Sequence, residues 1–188
     1  MFYPDHIAVP ETLCTEEFLV RPLKATDVKL DYDAVITSRA ELFLHSEGRW
    51  PREGFTLEEN LADLVRHERE HLDRVAFTYT VMNPAKTECL GAIYIHPLRR
   101  LLQRADISVE HISDESAYVS FWVRQSHLPD NLDRRLLQAL ISWFQAEWAF
   151  SQVTFFARKA QTRQIQLFED MGMRLEYTLP KSVVYRSS

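Results

Sequence analysis

The sequence predicts a single α/β domain in which a mixed, mainly antiparallel sheet is flanked by helices. Three observations carry that expectation. The 188 residues match one domain and suffice to bury a sizeable core. Hydrophobic residues at 46% and charged residues at 26% give an ordinary globular balance. The hydrophobic period switches between two and about 3.6 along the chain, so strands and helices share it.

Residues 1–16, with Pro4 and Pro10, read as an irregular N-terminal extension, and 17–188 as the domain. A first strand spans 17–23. Thr26 or Asp27 can cap a helix running toward His45. Thr56 followed by Glu59 is a capping-box pattern that opens a second helix, whose apolar stripe is Leu57, Leu61, Leu64, Val65 and Leu72. Period two then governs 75–81 and 89–95, joined by a polar turn at 83–87, which predicts a β-hairpin. The arginine-rich, then acidic stretch 97–115 reads as a loop with a short helix, and 116–124 as a strand. In the helix that follows, Leu132, Leu136, Leu137, Leu140, Ile141, Phe144 and Trp148 share a face that must dock on the sheet. A strand at 152–157, a helix at 162–171 closed by Gly172 and one or two strands in 175–185 complete the chain.

Composition narrows the function classes. No segment approaches the roughly 20 apolar residues of a membrane span, and the first residues lack a basic and an apolar region, so a cytoplasmic protein is expected. Cys14 and Cys89 are too few for a disulfide framework and lack a CxxC partner for zinc. A net charge of -5 argues against general nucleic-acid binding, which needs a basic stripe to displace counterions. The short basic clusters, including Arg99, Arg100 and Arg104, read as solvated surface.

One motif points to metal chemistry. His67, Glu68 and His71 match HExxH, in which two histidines a helical turn apart hold zinc and the glutamate activates water. Against a zinc hydrolase stand the charged residues at the two intervening positions, the placement of both histidines beside the apolar stripe, and the lack of a third ligand. The expectation is therefore no metal site.

Several strings resemble another chemistry. Phe18, Leu19, Val20, Arg21, Pro22 and Leu23 with Asp27, then Phe121, Trp122, Val123 and Arg124, and finally the run from Arg163 through Phe168 to Gly172 and Met173, resemble the GNAT-type N-acetyltransferase superfamily. The order of elements matches from Glu17 onward. Trp50 and Pro51, with the capping-box helix and Phe77, Thr78, Tyr79, Thr80 and Val81, are similar to a group of bacterial GNAT-like proteins.

That resemblance implies acetyl-CoA as cosubstrate and direct acetyl transfer to a small-molecule or peptide amine, with a homodimer as one possible assembly. It assigns the thioester to backbone groups of Phe121, Trp122 and Val123, and the pantetheine and diphosphate to Leu128, Asn131, Asp133, Arg134 and Arg135. The chain departs from the family where the diphosphate loop carries glycine, since Leu128, Asn131 and Asp133 stand there. Asp133 puts a carboxylate where an anion should approach; Asp130, Asn131 or Asp133 can instead cap the helix. Phe168 replaces the tyrosine that serves many relatives as general acid, which leaves Tyr118 as substitute acid and Glu115 as candidate base. The alternative is a catalytically silent module of the same fold that binds a small ligand or a protein partner.

Overall fold

A computed structural model describes residues 2–187; Met1 and Ser188, the outer limits of the expected extension and domain, lie outside the described residues. Among the described residues eight strands run β1 (Leu13–Cys14), β2 (Leu19–Pro22), β3 (Phe77–Met82), β4 (Cys89–Pro97), β5 (Ser116–Val123), β6 (Gln152–Arg158), β7 (Arg174–Thr178) and β8 (Ser182–Arg186). The helices are α1 (Val28–Thr37), α2 (Arg39–His45), α3 (Leu57–Leu72), α4 (Leu98–Gln103), α5 (Leu132–Glu147) and α6 (Thr162–Asp170), with 3-10 turns at Ala25–Asp27 and Gln125–His127.

The strands form one sheet in the order β1-β2-β3-β4-β5-β6-β8-β7. Every neighbouring pair is antiparallel except β5 and β6, which run parallel. Because side chains alternate across a strand, this sheet feeds two layers. Phe77, Tyr79, Ile93, Ile95, Val119 and Phe121 face α5 and α6, where Leu136, Leu137, Leu140 and Phe168 are fully buried. Each of those side chains contributes about 1.5–3 kcal/mol of burial. Ala92 and Trp122 face the other way, onto Ala34, Val35 and Leu42 of the first two helices. A third cluster joins Leu98 and Leu102 of α4 to Phe156 and Val184.

The expected hairpin, central strand, docking face of α5 and closing strands all form. Gly172 takes a positive φ of 69° just past α6, as a helix-terminating residue should. The capping box is complete, with Thr56 Oγ1 accepting from the Glu59 amide at 3.2 Å and Glu59 Oε2 from the Thr56 amide at 2.9 Å.

Four local expectations are corrected. The helix expected to run unbroken toward His45 divides at Ser38, whose buried hydroxyl accepts from the Gln125 amide at 3.0 Å and so ties the break to the loop after β5. Asp27 stands at the N-cap of α1 without capping it, because both its oxygens accept from Arg21, each at 2.8 Å. The buried stripe of α3 is Asn60, Leu64 and His67, whereas Leu61, Val65 and Leu72 are exposed. Polar partners beneath the helix rotate the buried face about Leu64, since Asn60 donates to Asp31 at 2.8 Å and His67 meets Thr78 at 3.1 Å. Finally, the stretch read as irregular supplies β1, which pairs with β2, and buries Phe2 and Tyr3 against Phe77.

Candidate functional site

The parallel pair β5 and β6 is joined only as far as Val119 opposite Phe155, after which the strands part. On its other edge β5 stays paired with β4 as far as Val123 opposite Gly91. The Arg124 amide bonds the Leu90 carbonyl at 2.7 Å, and the alternation of an antiparallel ladder then turns the peptide groups of Ser120 and Trp122 toward β4. Those of Phe121 and Val123 consequently face the opening, away from β4. Two peptide groups at the edge of a gap, near the start of α5, give donors and acceptors for an extended ligand.

A cavity of about 470 Å³ opens on the α1–α4 side of this gap. Tyr94, His96, Tyr118 and Ser120 line it from β4 and β5, Phe156 and Arg158 from β6, and His45 and Glu47 from the end of α2. Tyr118 stacks on His96 with ring centres 5.4 Å apart and leans on Phe156 at 5.5 Å. Burial raises the Tyr118 phenol above its ordinary value, although Arg104 and Arg158 pull it down, so the hydroxyl is protonated at neutral pH. Burial first, and the surrounding cations next, push His96 down to about 4. His45 is likewise lowered to about 4 by burial and by Arg158. Both rings are therefore neutral near pH 7. Arg158 lies over the Phe156 ring at 4.8 Å and pairs with Glu47 at 2.6 Å, while its buried Nε has no partner among the described residues.

The loop leading into α5 is organised differently from a glycine loop. Asn131 holds the left-handed conformation, φ 57°, at the N-cap and makes no side-chain cap bond. The amides of His127, Leu128, Asn131, Arg134 and Arg135 donate to carbonyls within the loop. Asp133 is the local anion. Its side chain is 5% exposed and accepts from the Arg134 amide at 3.0 Å within the first turn, so the expected side-chain cap is not formed: the N-cap residue is Asn131, without a cap bond. Arg163 of α6 reaches across to it, with Nε 2.7 Å from Oδ2 and an Nη 3.0 Å from Oδ1, and also bonds the Leu128 carbonyl at 2.8 Å. The mouth between α5 and α6 is thus neutralised from within by a carboxylate and a guanidinium.

The expected site residues fall into separate groups. Tyr118 stands in the cavity wall, and Phe121 and Val123 turn peptide groups to the gap, whereas Trp122 bonds its strand neighbour and packs its ring on the α1–α2 side. Leu128, Asn131 and Asp133 form the α5 entrance with Arg163. Arg134 lines the small hollow beside it, and Arg135 turns to Glu17 at 2.6 Å. Glu115 lies at the joined end of β5, where its carbonyl accepts from Ser151, and outside the cavity lining. Phe168 is wholly buried against Tyr185 and Phe155. Sequence reasoning does not find His45 and His96, and it takes the clusters that hold Arg104, Arg158 and Arg163 for solvated surface, whereas Arg104 and Arg158 line the cavity and Arg163 reaches Asp133. The period-two pattern of Tyr94 with His96 and Tyr118 with Ser120 could have placed His96; no local signal links Arg163 to Asp133, 30 residues apart.

The HExxH side chains diverge. His67 goes to Thr78, His71 packs edge-on against Phe77 and Tyr79, and Glu68 accepts from the Ala25 amide at 3.2 Å. Among the described residues no group of three or more His, Cys, Asp or Glu side chains is placed to hold a metal ion. No helix is long and apolar enough to cross a membrane.

No family model and no curated protein matches this sequence. Solved structures do match its fold over nearly its whole length. RimL, the ribosomal L7/L12 alpha-N-protein acetyltransferase in complex with coenzyme A, superposes with a TM-score of 0.69 at 15% identity, covering 94% of this chain and 96% of its own. The ribosomal-protein-S5-alanine acetyltransferase from Vibrio fischeri gives 0.67 at 15% identity, covering 95% and 96%. The microcin C7 self-immunity acetyltransferase MccE, in complex with acetyl-CoA and AMP, gives 0.68 at 11% identity, covering 92% and 93%. With the parted β5–β6 pair and the order of elements, these likenesses establish that the chain has the fold of the GNAT-type N-acetyltransferases.

Proposed function

We propose that this chain transfers an acetyl group from acetyl-CoA to a small-molecule or peptide amine by direct attack. The observation that carries the reading is the opening between β5 and β6, where the peptide groups of Phe121 and Val123 face the gap and Tyr118 of the same strand lines the cavity on one side of it. RimL and MccE, which have the same fold, are seen with coenzyme A and acetyl-CoA. The thioester arm would lie along Phe121 and Val123 and leave past Leu128 and Asn131, with Arg134 beside the entrance.

In this arrangement the acceptor nitrogen attacks the thioester carbonyl carbon, the carbon–sulfur bond breaks, the thiolate takes a proton from the Tyr118 hydroxyl, and the tyrosinate then recovers one from the nitrogen that attacked, which leaves a neutral amide. Arg104 and Arg158 stabilise the tyrosinate left behind. The amine must arrive without its extra proton, and the cations around the cavity favour that form by opposing another positive charge. Neutral His96 offers a ring nitrogen to orient the attacking N–H, a role its depressed basicity permits. Tyr118 is the catalytic acid in this scheme.

Titration calorimetry with acetyl-CoA at moderate ionic strength tests the reading. Saturable micromolar binding is expected, with Tyr118→Phe then slowing transfer at least about tenfold while coenzyme affinity stays within about twofold. No heat and no thermal stabilisation up to millimolar acetyl-CoA would sink it. That result would favour a second reading, a silent module, for which the specific support is the Asp133–Arg163 pair occupying the anion-facing start of α5.

A further inference from the structure

The cavity is positively charged in a chain that is negative overall. Together with the hollow it adjoins across His96 and Tyr118, it is lined by Arg66, Arg100, Arg104, Arg158 and Lys181 against only Glu47 and Glu70. The chain as a whole carries -5. Most of these cations are already committed. Arg66 pairs with Asp63 and Glu70, and Glu47 holds both Arg158 and Lys181.

Arg104 is different. It lines both hollows on either side of Tyr118, and among the described residues no carboxylate pairs with it. The cation beside it, Arg100, is likewise without an ion-pair partner among the described residues. Arg158 adds a buried Nε–H with no acceptor. Unpaired guanidinium donors beside a neutral, aromatic floor repel a bare cationic amine. They suit a ligand that brings its own anionic oxygens, since a guanidinium fork grips a carboxylate or phosphate with two parallel bonds.

We propose that the acceptor carries an oxyanion group, carboxylate or phosphate, held by Arg104 beside the Tyr118 hydroxyl. This rests on the transfer reading above and makes Arg104 the residue that selects the acceptor. Burial is the larger cause of the low basicity of His45 and His96, and the neighbouring cations, Arg158 beside the first and Arg104 and Arg100 beside the second, add to it.

The test uses three amines that share an aminoethyl group and differ only at the far end: ethanolamine, β-alanine and O-phosphoethanolamine. Each is titrated into coenzyme-free protein by calorimetry. At least one anionic amine should bind about tenfold or more tighter than ethanolamine. Arg104→Gln should bring that ratio to within about twofold, Arg104→Lys should keep part of it, and Lys159→Gln, on an exposed turn outside the cavity, should leave it unchanged. Equal binding of all three, binding of none, or a preference that survives in Arg104→Gln would overturn the proposal. Acetyl-CoA that fails to bind while the oxyanion preference persists removes the transferase but leaves this site. Acetyl-CoA that binds without any oxyanion preference removes this inference alone.

Discussion

Asp133 brings a negative charge to the start of α5, where the helix dipole and the free amides of the first turn attract anions. The carboxylate is buried and the Arg163 guanidinium is about half exposed, so the two partners are not equivalent. Asp133→Ala leaves a cation that water can solvate and should cost about 1 kcal/mol. Arg163→Ala strands a buried carboxylate and should cost more, about 2–3 kcal/mol, as urea unfolding of the two variants would reveal. The pair also competes with any ligand phosphate for the same donors. Asp133→Ala should therefore strengthen acetyl-CoA binding about tenfold by calorimetry, and unchanged or weaker binding would show that the coenzyme does not approach this end of the helix.

At the scale of elements, Gly91 controls how closely β4 and β5 approach beside the opening. A Cβ there would lie 2.1 Å from the Trp122 carbonyl oxygen and 3.1 Å from the Val123 Cα, both backbone atoms that cannot step aside. Gly91→Ala should push β5 outward, costing about 2–3 kcal/mol in chemical denaturation. It should weaken acetyl-CoA binding more than a core change such as Leu140→Val, which leaves that edge in place. The helix α5 was legible from sequence because it repeats one hydrophobic period on a single face, and β5 because, buried on both faces, it reads as a short, nearly continuous apolar run. The α3 face was not, since its buried side is built from Asn60 and His67, which apolar patterning passes over. The same limit applies to the site. Tyr118 could be picked out because it lies on a recognisable strand, but the neighbours that give it meaning, His96, Arg104 and Arg158, come from β4, the end of α4 and β6. Their meeting depends on the sheet order, and the Asp133–Arg163 pair depends on how α6 crosses the start of α5, neither of which any local pattern encodes.

For the molecule as a whole, buried titratable groups act in opposite directions across the acid range. His45 and His96 are lowered to about 4 from 6.5, so between those values the unfolded chain binds more protons. Their contribution is complete above pH 6.5 and is lost as pH falls toward 4. Both rings border a cavity open to water, so the pair is worth about 2–3 kcal/mol after screening rather than the full shift. Asp31 works the other way. Burial raises it from 3.8 to about 6, and Asn60 donates to it while leaving its own buried Oδ1 without a partner. Burial outweighs that Asn60 bond, which by itself favours the charged form. Folding is thus penalised by Asp31 as pH rises through 3.8 to 6, by about 2–3 kcal/mol at neutrality. An asparagine at this position supplies the missing donor without a charge. Asp31→Asn should therefore gain about 2–3 kcal/mol at pH 7.5 and little at pH 4, steepening the loss of stability between pH 6.5 and 4 because the opposing slope is gone. Urea unfolding of the two proteins across that range checks it, and a gain that is the same at pH 4 as at pH 7.5 would mean that Asp31 is not protonated on folding.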